Sequence, residues 1–331
     1  MKLRNRFCLL TLLIICFTFV ACKTNTTEQA EVLVATSKLE KPSFSSDSAY
    51  SFIEQQIDFG ARIPNTPAQK KCADYLSNKL KQYGAEVIVQ TTKLPIYNGQ
   101  IVPCYNIIGS FNPTIKRRLL LCAHWDTRPF SDRADKNQST PNLGVDDGAS
   151  GVAVLLEIAR QLQIKPSEIG IDIIFFDVED YGPPASEEAK YSGRDFYALG
   201  TQYWCKNPHI ANYSASNGIL LDMVGARNAT FTFEGVSMQY APEFMKQVWN
   251  NAASLGHGKY FIKRVTQPII DDHYYINTLT TTPTIDIIYR TLETESGFAK
   301  HWHTHDDTID NIDKNTLQTV GETVLATLYN Y

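Results

Sequence analysis

The chain has 331 residues, 43% of them hydrophobic and 20% charged, with a net charge of −4. Beyond the short run Lys116-Arg117-Arg118 it carries no clustered basic residues, which excludes the electrostatic footprint of a nucleic-acid binder. Its length is enough to bury both faces of a central sheet, and no internal repeat or low-complexity tract interrupts it.

At the N-terminus Lys2, Arg4 and Arg6 precede an apolar run over 7–21 that ends in Val20 and Ala21 before Cys22, the layout of a secretory leader over residues 1–21. The run is shorter than the roughly 20 apolar residues that cross a bilayer and contains Thr11 and Thr18, which argues against a spanning helix. A cysteine directly after a small residue at the end of such a run resembles a lipidation box. The mature chain is therefore expected to be exported to the periplasm and anchored to the membrane at Cys22, with ordinary leader cleavage as the alternative. Residues 22–46 are polar and rich in Thr, Glu, Lys and Ser, and read as a flexible tether; residues 47–331 then form one folded domain.

Within that domain Asp47 is expected to cap a helix to about residue 57, and Thr66-Pro67 to start a second one that Gly84 stops. Strands follow at 85–92, 104–109 and, after the Asn112-Pro113 turn, 119–123. A long polar loop over 127–143 precedes a helix over 149–162 with an apolar stripe of Val152, Leu155, Leu156, Ala159 and Leu162. Further elements are a strand at 171–176, a second loop over 181–192, a helix at 195–205, a strand at 218–221, a helix near 242–255, a strand at 283–288 and a closing helix over 314–329. Helices and strands thus alternate, the pattern of an α/β domain with a mostly parallel central sheet flanked by helices. Past Cys22 the cysteines are Cys72, Cys104, Cys122 and Cys205; none has C-x-x-C spacing, Cys122 falls inside a strand pattern, and the spacing leaves their pairing open.

Five acidic or histidine signals recur along this pattern: His124-Trp125-Asp126, Asp146-Asp147, Glu179-Asp180, Asp222 and Trp302-His303-Thr304. The first, third and fourth lie at or just past the ends of apolar runs, where the carboxyl ends of parallel strands form a ligand crevice. Each alone has a plain reading: a helix cap for Asp146 or Asp147, a turn for Glu179-Asp180, a cap or turn for Asp222 and for Asp271-Asp272-His273, a solvated loop for His303 to Asp307. So many carboxylates at one sheet edge would raise one another's pKa unless they share protons or a cation. A metal centre is the leading expectation, with Asp146 ligating while Asp147 caps the following helix. One of the Glu179-Asp180 pair would hold Zn²⁺ and the other move protons.

In order, and over nearly the whole domain, CAHWDTRP, GVDDGASG, FFDVEDYG, LLDMVGA, IIDDHYY and HWHTHDDT resemble the zinc-dependent exopeptidases and, within that fold, the glutaminyl cyclases of animals and bacteria. The peptidase resemblance implies two zinc ions held by His124, Asp146, Asp180, Asp222 and His303. The cyclase resemblance implies one zinc on Asp146, Asp180 and His303, with Glu179 as acid and base. It further implies Asp222 and Asp271 in a carboxylate network, and Trp302 and Phe298 as walls of the substrate pocket. The implied reaction converts the N-terminal Gln of a peptide to pyroglutamate and ammonia. Asp271 and Trp302 are the cyclase-like details. Asp180 stands where animal cyclases carry Glu, their pocket tryptophan has no counterpart in 181–192, with Trp204 a candidate, and GVDDGASG is nearer the peptidase pattern. A two-zinc aminopeptidase is the alternative.

Overall fold

The computed structural model describes residues 41–191, 193 and 195–331; the expected leader, and the tether up to residue 40, lie outside the described residues. The last part of the expected tether is folded. Ser45 is the N-cap of α1 (Ser46–Ile57), its hydroxyl accepting from Ser48 N at 3.2 Å, so Asp47 lies in the first turn instead of capping it. Phe44 is buried against Gly321 of the closing helix, where even a Cβ would meet the phenyl ring at 2.2 Å. Burying a side chain of that size contributes about 1.5–3 kcal/mol, which places the domain boundary upstream of residue 47.

Helix α2 (Pro67–Gln82) starts as its sequence dictates: the Thr66 hydroxyl accepts from Gln69 N, and Pro67 occupies the first turn, where no amide partner is lost. Strands β1 (Glu86–Pro95) and β2 (Ile101–Phe111) pair antiparallel, and β3 (Arg118–His124) follows. The chain then alternates through α3 (Ala149–Ile164), β4 (Gly170–Phe176), α4 (Leu199–Lys206) and β5 (Asn217–Asp222). Strand β6 (Phe231–Phe233), α5 (Gly235–Tyr240), α6 (Pro242–Ser254) and β7 (Phe261–Val265) come next; α7 (Asp272–Leu279), β8 (Thr284–Ile288) and α8 (Lys314–Tyr329) close the domain. The main sheet runs β1-β2-β4-β3-β5-β8, with β4, β3, β5 and β8 parallel; β6 and β7 form a separate parallel pair. Every residue of β3 and β4 is buried, which is why these strands read as largely apolar runs instead of alternating ones; the exception inside β4, Asp172, is paired with Arg118 at the start of β3.

Register brings the carboxyl ends together: His124 stands opposite Phe176, and Asp222 opposite Ile288. Helix α3 packs tightly behind this edge. A Cβ on Gly151 would sit 2.2 Å from Leu221 O, so only glycine lets the first turn of α3 approach the end of β5. Two expected boundaries move. Helix α4 begins at Leu199, not 195, because Ala198 is left-handed (φ 49°). The segment around Asp271-Asp272-His273 is helical, with Asp271 at its N-cap. Cys72, Cys104, Cys122 and Cys205 are all free thiols, Cys122 in the core as expected.

Candidate metal and catalytic site

Beyond β4 the chain reverses at Val178, whose φ of 56° is strained for a β-branched residue. The reversal is held by Asp126, two residues past the end of β3. Its carboxylate accepts from Glu179 N at 3.0 Å and from Asp180 N at 3.2 Å, fixing the direction of both following side chains. Left-handed residues also stand at the other site loops: Met223 (φ 48°) follows Asp222, and His303 itself has φ 56°. Asp307 repeats the clasp, accepting from Asp146 N at 2.8 Å and Asp147 N at 3.2 Å. In the sequence Asp126 and Asp307 stand only as members of acidic motifs, because the amides they clasp lie 53 to 161 residues away.

Two groups of donors result, each with its atoms within 4.8 Å of one another: Asp147, Asp180 and His303, and His124, Asp147 and Asp222. His303 Nε2 lies 3.3 Å from Asp180 Oδ1 and 3.7 Å from Asp147 Oδ2; His124 Nε2 lies 3.0 Å from Asp147 Oδ1 and 3.3 Å from Asp222 Oδ1. Asp180, His303, His124 and Asp222 thus converge. Asp146 does not. Its Oδ1 accepts from Gly225 N at 2.8 Å and its Oδ2 faces His301 Nε2 at 3.0 Å, so both oxygens are spent away from the cluster. The expectation of Asp146 as ligand and Asp147 as helix cap is corrected on both counts. Asp147 joins both donor groups, and α3 starts at Gly148 with no side-chain cap.

An outer layer orients these donors. Asp132 Oδ1 is 3.5 Å from His303 Nδ1, which leaves Nε2 facing Asp180. Arg128 donates to Asp132 through Nε (2.9 Å) and Nη2 (2.6 Å), and to Asp180 Oδ1 through Nη1 (3.2 Å). This guanidinium holds Asp132 far below the usual carboxylate range against the opposing effect of burial. Such carboxylate–histidine pairs commonly fix a metal-binding tautomer.

Glu179 lies at the edge of the donors, its Oε2 4.0 Å from His124 Nδ1. Burial pushes its pKa well above the usual carboxylate range; His124 opposes the shift, and Asp180, Asp271 and Asp272 add to it. Burial likewise raises Asp222 to about 8, and Asp271 in the same direction. A buried site whose acids must hold protons in this way is short of positive charge. Asp147 Oδ2 and Asp271 Oδ2 are buried without hydrogen-bond partners. Asp271 also forms a third donor group with His273 and Asp286, behind the cavity.

The donors open into a cavity of about 530 Å³ whose walls include Glu179, Asp222, Asp271, Phe298, Trp302 and Tyr197. Trp302 stacks on His303 (centroids 3.9 Å apart, planes at 27°), and Phe298 packs on Trp302 at 4.6 Å. The Arg133 guanidinium, itself part of the cavity wall, covers Trp302 at 5.3 Å and that of Arg290 covers Phe298 at 4.5 Å, holding the aromatic pair in place. Trp204 is not in this cavity. It is fully buried between Phe176 and Tyr213 with Nε1 donating to His209, a core residue. Tyr197 supplies aromatic surface to the cavity instead; it follows the loop expected to carry that group, so its distance from Asp180 hid it.

Residues 106–328 match Peptidase family M28. Among solved structures, the glutaminyl cyclase of Tannerella forsythia is 51% identical, with a TM-score of 0.85, covering 88% of this chain and 100% of that one. A Zn-dependent exopeptidase of Parabacteroides distasonis is 48% identical over the same shares, with a TM-score of 0.84. The glutaminyl-peptide cyclotransferase of the snake Boiga dendrophila is 24% identical over 298 residues, 82% of this chain and 77% of its own length. The matched span contains Asp126, both donor groups and the aromatic wall, and with this site at the carboxyl ends of its parallel strands the chain belongs to peptidase family M28.

Proposed function

We propose that this chain is a zinc-dependent glutaminyl-peptide cyclotransferase, converting the N-terminal Gln of peptides to pyroglutamate with release of ammonia. The observation that carries the reading is the Phe298–Trp302 wall, its Trp302 stacked directly on the donor His303, facing the same cavity as the partly buried Glu179. Identity of 51% to a bacterial glutaminyl cyclase over the whole of that protein supports it.

Two carboxylates and an imidazole suit Zn²⁺, and the unpartnered Asp147 Oδ2 is an oxygen that an ion would satisfy. One zinc would be held by Asp147, Asp180 and His303. Bound there it supplies a Lewis acid for the γ-carbonyl oxygen of the substrate and the charge that develops on it. The chain's own groups do the rest. Trp302 and Phe298 hold the Gln side chain in the conformation that places its α-amine against the γ-carbon, supplying the proximity term. Glu179 takes a proton from the α-amine as the new C–N bond forms and returns it to the amide nitrogen as the old C–N bond breaks, so ammonia leaves and the lactam remains. Asp222 and Asp271 line the same cavity, and the negative charge of Asp271 helps keep the pKa of Glu179 raised.

The direct test is mass spectrometry of a Gln-initiated peptide with and without a zinc chelator. Loss of one ammonia mass that the chelator blocks supports the cyclase; an unmodified peptide sinks it. Trp302→Ala should lower kcat/KM roughly 10²-fold, the scale of a misplaced reacting group, with zinc content unchanged. A kcat/KM within threefold of the parent would take Trp302 out of substrate positioning.

One observation favours a second reading. Asp147 belongs to both donor groups, so His124 and Asp222 are placed to hold a second zinc, as in a two-zinc aminopeptidase. Release of free amino acid and about two zinc ions per chain would establish it.

The leader-like residues 1–21 and the following Cys22 support a periplasmic, lipid-anchored protein. In an exporting bacterial host, radiolabelled palmitate should enter the protein and be lost in Cys22→Ala; equal labelling of both would overturn anchoring at Cys22.

A further inference from the structure

Asp146 is completely buried, and its position is unusual in what it joins. Its own backbone precedes Asp147. Its Oδ1 accepts from Gly225 N, three residues past Asp222, at 2.8 Å, and its Oδ2 is 3.0 Å from Nε2 of His301, two residues before His303. One carboxylate therefore spans three loops, each carrying a donor of the metal groups. The joint is reinforced: Ser150 Oγ donates to Asp146 O at 2.6 Å and accepts from Val224 N at 2.9 Å. There is little slack, because a Cβ on Gly225 would come within 3.2 Å of Asp146 Oδ1 and 3.0 Å of the Ser150 Cβ. His301 lies outside the substrate cavity, on a separate groove with Arg227, Tyr289 and Lys300, so it has no contact through which to act on substrate.

We propose that the Asp146–His301 pair is a positioning strut: it sets the spacing of the loops that carry Asp147, Asp222 and His303, and thereby the affinity of the site for zinc. The strut rests on the reading that Asp147, Asp180 and His303 hold the ion. A charge-assisted bond between buried groups resists the outward movement of the His301–His303 loop, and the Gly225 bond resists the same movement of the loop after β5. Asp146 is thus a positioning residue, not a ligand, and His301 acts only through it.

The test compares the full-length protein with Asp146→Ala, His301→Ala, the double variant, His301→Gln and, as the ligand control, Asp147→Ala. Zinc affinity is read by competition with a chromophoric chelator, without turnover, and kcat and KM are read separately at saturating zinc. Asp146→Ala and His301→Ala should each weaken zinc about 10–100-fold, the usual effect of losing an outer partner. The double variant should be no weaker than the worse single one, since both remove the same bond. His301→Gln, which restores a donor, should recover most of the affinity, and kcat should fall more than KM changes. Affinity within twofold of the parent in His301→Ala overturns the strut, and that variant carries the test alone if Asp146→Ala does not fold. Loss of zinc in Asp146→Ala as complete as in Asp147→Ala also overturns it, by making Asp146 a ligand. A parent chain that binds no zinc removes the metal reading and the strut together, whereas a zinc-binding parent with unaltered variants removes the strut alone.

Discussion

Glu179→Gln is expected to lower kcat by about 10²–10⁴-fold, the usual contribution of a positioned acid–base group, while the protein still binds zinc. The substitution keeps the size of the side chain and leaves the backbone clasp intact, because Asp126 accepts from the main-chain amides of residues 179 and 180 and not from the side chain. What it removes is the ability to take a proton. Glu179 is a cavity carboxylate outside both donor groups yet beside them, not engaged by Arg128 as Asp132 is, and burial holds its pKa well above the ordinary carboxylate range. Ammonia release in a coupled assay, alongside zinc content, decides the matter. Turnover above about a tenth of the parent, far outside the loss expected of a general base, would assign the proton transfers to another group, with Asp222 the nearest alternative by its own raised pKa.

The parts of the fold that place this site were legible because β3, β4 and β5 are buried on both faces and so appear as apolar runs that stop where the polar residues begin. Helices α2 and α8 were equally plain, α2 from its Thr66-Pro67 start, while the cap of α8, Asp313, shows only in the fold. Strands β6 and β7 left no comparable trace: β6 has only three residues, and β7 carries exposed Lys263, Arg264 and Val265 after buried Phe261. Helix α7 was hidden by its own cap, since Asp271-Asp272 before a histidine has the composition of a turn. The choice between Asp146 and Asp147 was not available in the chain at all. Adjacent residues in one turn point in different directions, and here the directions are set by Asp307, Gly225 and His301, which lie 79 to 161 residues away in sequence. Arg128 and Asp132 were unreadable for the same reason, because their importance lies in contacts with Asp180 and His303 that only the closed fold makes.

Asp147→Ala should abolish specific zinc binding, weakening it well beyond the roughly 10–100-fold that loss of an outer partner costs. The expectation follows from the position of Asp147 in both donor groups, which makes it the one carboxylate whose removal disables either metal arrangement. A structural role predicts something different for the zinc-free protein. Asp147 adds to the crowding of negative charge that, together with burial, raises Asp222, so its removal relieves repulsion even as it takes a partner from His124. The zinc-free variant should therefore unfold within a few degrees of the zinc-free parent. With zinc at about a hundred times its Kd the parent should gain about 2.7 kcal/mol of stability, and the variant nothing. Thermal unfolding of both proteins with and without added zinc reads the two effects at once. A variant that keeps the zinc-dependent rise would return the ligand role to another carboxylate. One that loses stability equally in both conditions would make Asp147 a structural partner of His124 and leave the metal centre without its shared donor.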